Sequence, residues 1–169
     1  FILRDITLLS LAFMSYKITL IDLRKENGFT WFPIMEVAKL FAGIFITVIP
    51  ALSILSENKE AFSTLSANMY FWLTGILSGF LDNAPTYLVF FTSTGLTPEA
   101  LMQSIEILLA ISSGAVFMGA MTYIGNAPNF MVRSIAEENK IKMPGFFGYM
   151  AWSVLILVPI FLLYSFIWF

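Results

Sequence analysis

The sequence predicts an all-α membrane protein: about four transmembrane helices, one of them broken, and one re-entrant helical hairpin. Three observations predict it. The chain of 169 residues is 59% hydrophobic and only 12% charged, whereas roughly a quarter of a soluble domain is charged. Uncharged stretches recur at about the 20-residue length a helix needs to cross a bilayer. The tripeptide Asn-Ala-Pro also occurs twice inside such stretches, as Asn83, Ala84, Pro85 and as Asn126, Ala127, Pro128. Each copy interrupts a helix where no water receives the freed backbone groups, so each must be enclosed by protein or line a cavity.

The elements follow in order. A first apolar stretch covers residues 6–21 with Lys17 near its end, and 22–30 reads as a polar loop in which Gly28 stops the helix. Pro33 suits the first turn of a second helix, where a missing N–H costs nothing. Glu36 and Lys39 follow at i, i+3 spacing and are expected to pair. Residues 40–56 carry no charge, with a kink expected at Pro50, and Glu57, Asn58, Lys59 and Glu60 form the next loop. Residues 61–81 are uncharged, but after the first Asn-Ala-Pro only 86–98 remain apolar. That second arm reaches about 20 Å, short of a hydrocarbon core of about 30 Å. The segment from about 61 to 98 is therefore a hairpin that enters and leaves by one side, with Asp82, Asn83, Ala84 and Pro85 at its tip.

Thr97, Pro98 and Glu99 open the next helix as cap, first position and first-turn acid. A broken helix runs from about 99 to 137, interrupted between Gly125 and Asn129. The last helix, from about 144 to 169, holds a kink at Pro159. Trp31, Tyr70, Trp72, Tyr149, Trp152 and Trp168 fall near predicted span ends, where aromatic side chains anchor helices at the interface. Residues 1–169 thus read as a single transmembrane domain. The sequence opens on Phe1 with apolar residues at once and no cleavable signal, so it reads as a piece of a longer chain.

Composition also excludes functions. A net charge of −2 offers no basic surface for nucleic acid. Without cysteine there are no disulfides or thiolate metal sites, and without histidine the commonest general base and metal ligand are both missing. An intramembrane aspartyl dyad needs two central acids and only Asp82 qualifies, while a Ser–His pair lacks its histidine. No enzyme is read here.

The polar residues within the apolar stretches carry the chemistry. A charge at a helix centre costs roughly 2.5–3.5 kcal/mol, so a residue such as Asp82 is expected to serve a site. Thr74, Ser78 and Asp82 lie at i, i+4, i+8 and share one face of the first hairpin arm. With carbonyls freed at the tip they offer hard oxygen donors, suited to Na⁺ rather than to a soft metal. The second interruption offers a complementary half: Thr122 and Asn126, expected one helical turn apart, then Asn129. There a helix end directs carbonyls inward and a helix start directs N–H groups inward, favouring cations and anions respectively. Gly75 with Gly79, and Ala115 with Gly119, read as close helix packing.

These motifs resemble the ion transporter superfamily, which includes arsenite permeases, D-type Na⁺/H⁺ antiporters and citrate or dicarboxylate carriers. The likeness is closest to the bacterial family named for citrate transport, whose members are often labelled sodium:proton antiporters. It rests on residues 26–33 (ENGFTWFP), 36–45 (EVAKLFAGIF), 81–87 (LDNAPTY) and 122–130 (TYIGNAPNF). The resemblance implies one inverted-repeat half of a carrier, its C-terminal half, with a hairpin tip and an adjacent broken helix that together bind Na⁺. By likeness Asp82, Asn83 and Thr86 match the tip, and Gly125, Asn126 and Asn129 match the helix break. Carboxylate carriers of the superfamily typically have Ser-Asn-Thr at the tip, whereas Asp-Asn-Ala-Pro-Thr is the pattern of antiporter-like relatives.

The function expected is Na⁺/H⁺ antiport through Ser78, Asp82, Asn83, Thr86, Thr122, Gly125, Asn126 and Asn129, with Asp82, Asn83 and Asn126 as Na⁺ ligands. The alternative within transport is Na⁺- or H⁺-coupled uptake of citrate or another small carboxylate. From another class comes a non-transporting membrane subunit or a degenerate remnant. No cofactor is expected beyond Na⁺ or H⁺ as coupling ion. The partners expected are membrane lipids, the N-terminal half of the carrier and a second copy of the chain, in a bacterial inner membrane crossed several times.

Orientation follows from the basic loop residues, with Arg24, Lys25, Arg133, Lys140 and Lys142 on one side against Arg4 and Lys59 on the other. The richer side is cytoplasmic, so single cysteines at Lys25 and Lys140 should react with an impermeant thiol reagent only from the cytoplasm. Those at Lys59 and Glu99 should react only from outside. Labelling of Lys59 and Glu99 from opposite faces would make the hairpin a full crossing.

Overall fold

A computed structural model of the chain describes residues 2–57, 62 and 64–169. Every regular element among them is helical, as expected. They divide into two compact units, residues 1–32 and 33–169. The predicted loop residues Asn58, Lys59 and Glu60, and the hairpin's start at 61, lie outside the described residues.

The first unit holds α1 (Ile2–Ile18) and α2 (Ile21–Glu26). The second helix corrects the reading of 22–30 as loop. Its residues form helices readily but show no apolar period, so the pattern hides it. Gly28 does stop it: at φ +60 it lets Gly28 N–H reach Lys25 O and Phe29 N–H reach Arg24 O, the two bonds of a left-handed helix terminus. Arg24 folds its guanidinium over the Tyr16 ring at 4.2 Å and donates to Ser15 O and Tyr16 O at the end of α1.

In the second unit α3 (Phe32–Glu57) contains Pro50, and α9 (Phe146–Trp168) contains Pro159. These two helices are long and apolar enough to cross a membrane, α3 over Phe32–Pro50. Glu36 on α3 accepts from Ser134 Oγ, and among the described residues the ion pairs are Arg4–Asp5 and Arg133–Glu137. The expected Glu36–Lys39 pair does not form because a buried hydroxyl holds the carboxylate instead.

Between them lie α4 (Ala67–Leu81), α5 (Asn83–Ser93), α6 (Pro98–Gln103), α7 (Ile105–Met118), a 3₁₀ turn (Gly119–Met121) and α8 (Ala127–Glu138). Edge-to-face contact of Tyr70 with Phe90, 6.4 Å between ring centres, shows that α5 folds back along α4. Thr97 caps α6 as predicted, accepting from Ala100 N at 3.2 Å, but the helix breaks again at Ser104. Tyr70 is a correction. It is buried, 1% exposed, with its hydroxyl on Phe62 O at 2.7 Å, and so is no interfacial anchor.

The axis of this unit is the pairing of α4 with α7. Gly75 and Gly114 let the two backbones approach. A Cβ on Gly114 would sit 2.5 Å from Phe71 O and 3.3 Å from Gly75 N, and one on Gly75 would overlap the Met118 side chain. Around this crossing Phe71, Ile111, Met118, Val89 and Phe161 form the core. Gly114→Ala should therefore destabilise the protein by about 1–3 kcal/mol, because backbone cannot yield as a side chain can. Gly43→Ala, where a Cβ meets nothing within 4 Å, should be neutral or stabilising. Thermal unfolding in one detergent compares the two.

Candidate ion site

One residue separates the arms of the hairpin. Asp82 closes α4, its N–H donating to Ser78 O at 3.3 Å, and caps α5, its Oδ1 accepting from Ala84 N at 3.3 Å. Its carbonyl accepts from Thr86 N at 3.3 Å. Linking two helices through one residue forces φ 90, ψ 153, close to a region almost confined to glycine and costing about 1–3 kcal/mol for other residues. The carboxylate is thus carried on strained backbone at a 7% exposed position.

The second interruption is longer than the sequence suggests. α7 ends at Met118, the 3₁₀ turn follows, and 122–126 are not helical. Thr122 and Asn126 are both extended, with ψ 167 and ψ 150, so they are not one helical turn apart. A tertiary contact stands at this point: the Ala115 carbonyl receives the Ser78 hydroxyl just where α7 gives way. Thr122 Oγ1 donates to Gly79 O on α4 and accepts from Gly125 N at 3.0 Å and Ile124 N at 3.2 Å. Asn126 Oδ1 caps α8 by accepting from Asn129 N at 2.9 Å. Asn129 Nδ2 reaches Thr122 O at 3.3 Å and the Tyr149 hydroxyl of α9 at 3.4 Å.

The two interruptions meet. Acceptors surround the nitrogen of the Asn83 amide: Ala115 O at 2.8 Å, Gly125 O at 3.0 Å and Ser78 Oγ at 3.1 Å. That orientation is set by the hydrogen-bond network. The Asp82 carboxylate in turn faces the backbone N–H groups of Ala84, Ala127 and Asn83. Ala127 is the first residue of α8, so the starts of α5 and α8 both lie near the carboxylate. Gly119 and Gly125 make the approach feasible, since a Cβ on either would overlap the Asn83 amide or the facing glycine carbonyl.

The structure thus brings together Ser78, Asp82, Asn83 and Gly125, with Thr122 joined to the tip through Gly79 O. Asn126 contributes its place in the chain, its oxygen being engaged as a helix cap. The two Asn-Ala-Pro copies are used one residue out of step: Asp82 caps the first helix and Asn126 itself caps the second. Thr86 is buried one turn beyond Asp82 with its hydroxyl unpartnered. Asn129 lies apart, on a groove of about 190 Å³ shared with Tyr123, Arg133 and Tyr149. Among the described residues no three His, Cys, Asp or Glu side chains cluster as a polyvalent metal site.

The family described as Putative citrate transport matches over residues 1–169. The chain belongs to this family. No curated protein and no solved structure matches it. The family's description points to transport, and α3 and α9 are long and apolar enough to cross a membrane.

Sequence reasoning missed several residues of this family member's polar cluster. The carbonyls of Gly79 and Ala115 could not be foreseen as acceptors. Gly119 was visible as a small residue but signalled only packing. Tyr149, which donates to Ala120 O at 3.0 Å, read as an anchor, and Ser153, which donates to Met121 O at 2.6 Å, drew no reading. Because of the strain at Asp82, Asp82→Gly should exceed Asp82→Ala in stability by about 1–2 kcal/mol, since glycine alone tolerates that φ. Equal melting temperatures for the two would remove the strain from the account.

Proposed function

We propose that the chain is the C-terminal, inverted-repeat half of a secondary active transporter that exchanges Na⁺ for H⁺ at Asp82. The observation that carries this reading is a single carboxylate, nearly buried, at the meeting point of two helix interruptions. One carboxylate can hold a proton or a Na⁺ but not both, which is the competition that exchange requires. Oxygen donors gather at the next residue, where Ser78 Oγ and the carbonyls of Ala115 and Gly125 surround the Asn83 amide, a hard set suited to an alkali cation. Each carbonyl has a second lone pair beside the hydrogen bond it already accepts.

Helix lengths support the membrane arrangement. α4 has 15 residues and α5 has 11, or about 22 and 16 Å, against about 30 Å of hydrocarbon. Neither arm crosses alone, so the hairpin is re-entrant and Asp82 sits at membrane depth. Paired interruptions of this kind mark the ion site of secondary transporters.

Coupled citrate uptake is the second reading, favoured by the family name and by the N–H groups of Asn83, Ala84 and Ala127. Such helix starts would receive an anion. Here Asp82 already accepts from Ala84 N, and its charge repels a second carboxylate, so Na⁺/H⁺ exchange stands ahead.

The test is Asp82→Asn in proteoliposomes of the complete carrier, which keeps shape but not titration. Na⁺-driven proton movement, followed with an internal pH dye, should vanish while insertion and monodispersity persist. Exchange at the parental rate would move proton coupling elsewhere. Uptake of labelled citrate by the parent would then promote the carboxylate reading.

A further inference from the structure

The buried face of α4 bears an oxygen at every fourth residue: Tyr70, Thr74, Ser78 and Asp82. All four are enclosed, at 1%, 0%, 0% and 7% exposure. The Tyr70–Phe90 contact turns this face toward α5, which contributes Thr86, itself 0% exposed. Tyr70 is engaged on Phe62 O and Ser78 on Ala115 O. The two threonines are not. Thr74 Oγ1 and Thr86 Oγ1 have no partner among the described residues. A buried hydroxyl without a partner is destabilising, and valine would fill the same volume without that cost. Two such hydroxyls in one hairpin, both leading to its carboxylate, call for a reason.

Spacing supplies it. Four residues of α-helix rise about 6 Å, close to two successive O–H···O bonds of about 2.8 Å each. By length, one water spans the gap between side chains of like size on this face, such as Thr74 and Ser78. Ser78 and Thr86 both stand four residues from Asp82, one on each arm, and Thr74 stands four further down. Tyr70 ends the series beside Phe62, toward the open end of the hairpin.

We propose that Tyr70, Thr74, Ser78 and Thr86, bridged by water, conduct protons between Asp82 and the open end of the hairpin. This rests on the exchange reading of Asp82. A proton from bulk water enters beside Tyr70. Once Tyr70 and Ser78 turn their hydroxyls from the Phe62 and Ala115 carbonyls, each oxygen along the series accepts a proton on one side and releases its own on the other, so every hydroxyl and water ends neutral. The last transfer forms an O–H bond on the Asp82 carboxylate as Na⁺ leaves it. The net change is one proton gained by Asp82 and one lost from the bulk.

Thr74→Val and Thr86→Val in the complete carrier test this, with Tyr70→Phe as a third variant that keeps the ring. Each valine variant should remain folded, at a melting temperature no lower than the parent's. Turnover should fall about tenfold with half-saturating Na⁺ unchanged, as expected when delivery of the proton rather than binding is impaired. The solvent deuterium effect should grow as proton delivery becomes limiting, and Thr74→Ser should restore turnover. Parental turnover in both valine variants would overturn the proposal. So would raised half-saturating Na⁺ without a larger deuterium effect, which would make the threonines Na⁺ ligands. The site reading fails by a different result: full exchange in Asp82→Asn.

Discussion

Where a helix stops inside an apolar interior, its last carbonyls and the next helix's first N–H groups must find partners within the protein. In this chain two such stops satisfy each other. The Asn83 amide donates to Ala115 O and Gly125 O across the gap, and the N–H of Ala127 faces Asp82 in return. Much else follows from that exchange. Gly119 and Gly125 must lack side chains for the strands of backbone to come within reach, and Thr122 must lock its loop onto Gly79. Gly75 and Gly114 bring α4 and α7 close enough for the bonds to form.

The arrangement sorts partial charge. The carbonyls of Ala115, near the end of α7, and of Gly125 gather around the neutral Asn83 amide, while the starts of α5 and α8 lie near the Asp82 carboxylate. Opposite ends of the helix dipole thus meet a donor and an anion respectively. Asp82 and Asn83 are adjacent in sequence yet occupy environments of opposite polarity. Exchanging the two residue types would set each against its surroundings.

Local chemistry was legible in the sequence. The paired Asn-Ala-Pro motifs, the Thr97 cap, the Gly28 stop and the common face of Thr74, Ser78 and Asp82 each depend on a few neighbouring residues, and each appears as read. What was hidden depends on partners distant in the chain. Nothing near Met118 says that α7 ends there, where Ser78 and Asn83, on α4 and α5, take up the Ala115 carbonyl. Glu36 looked paired with Lys39 until Ser134, 98 residues away, took its carboxylate. Identical tripeptides also gave no hint that Asp82 would do at the first interruption what Asn126 does at the second. Tyr70 resembled an anchor because an aromatic side chain beside a polar segment looks the same from either side of a helix.

The last helix is fixed at two levels. Near its start Tyr149 and Ser153 hold Ala120 and Met121. Toward its end Ser165 accepts from Asn68 at 3.4 Å and Trp72 at 3.3 Å, at the root of the hairpin. Ser153 and Ser165 lie about 18 Å apart along the axis, so α9 is a brace pinned to the interruption at one end and to the root of α4 at the other. An α-helix scarcely stretches, and the tip therefore cannot slide along α9 without breaking one set of pins. Bending is another matter. Pro159 stands midway between them and leaves one carbonyl of the brace without its N–H, giving an otherwise stiff frame a single joint.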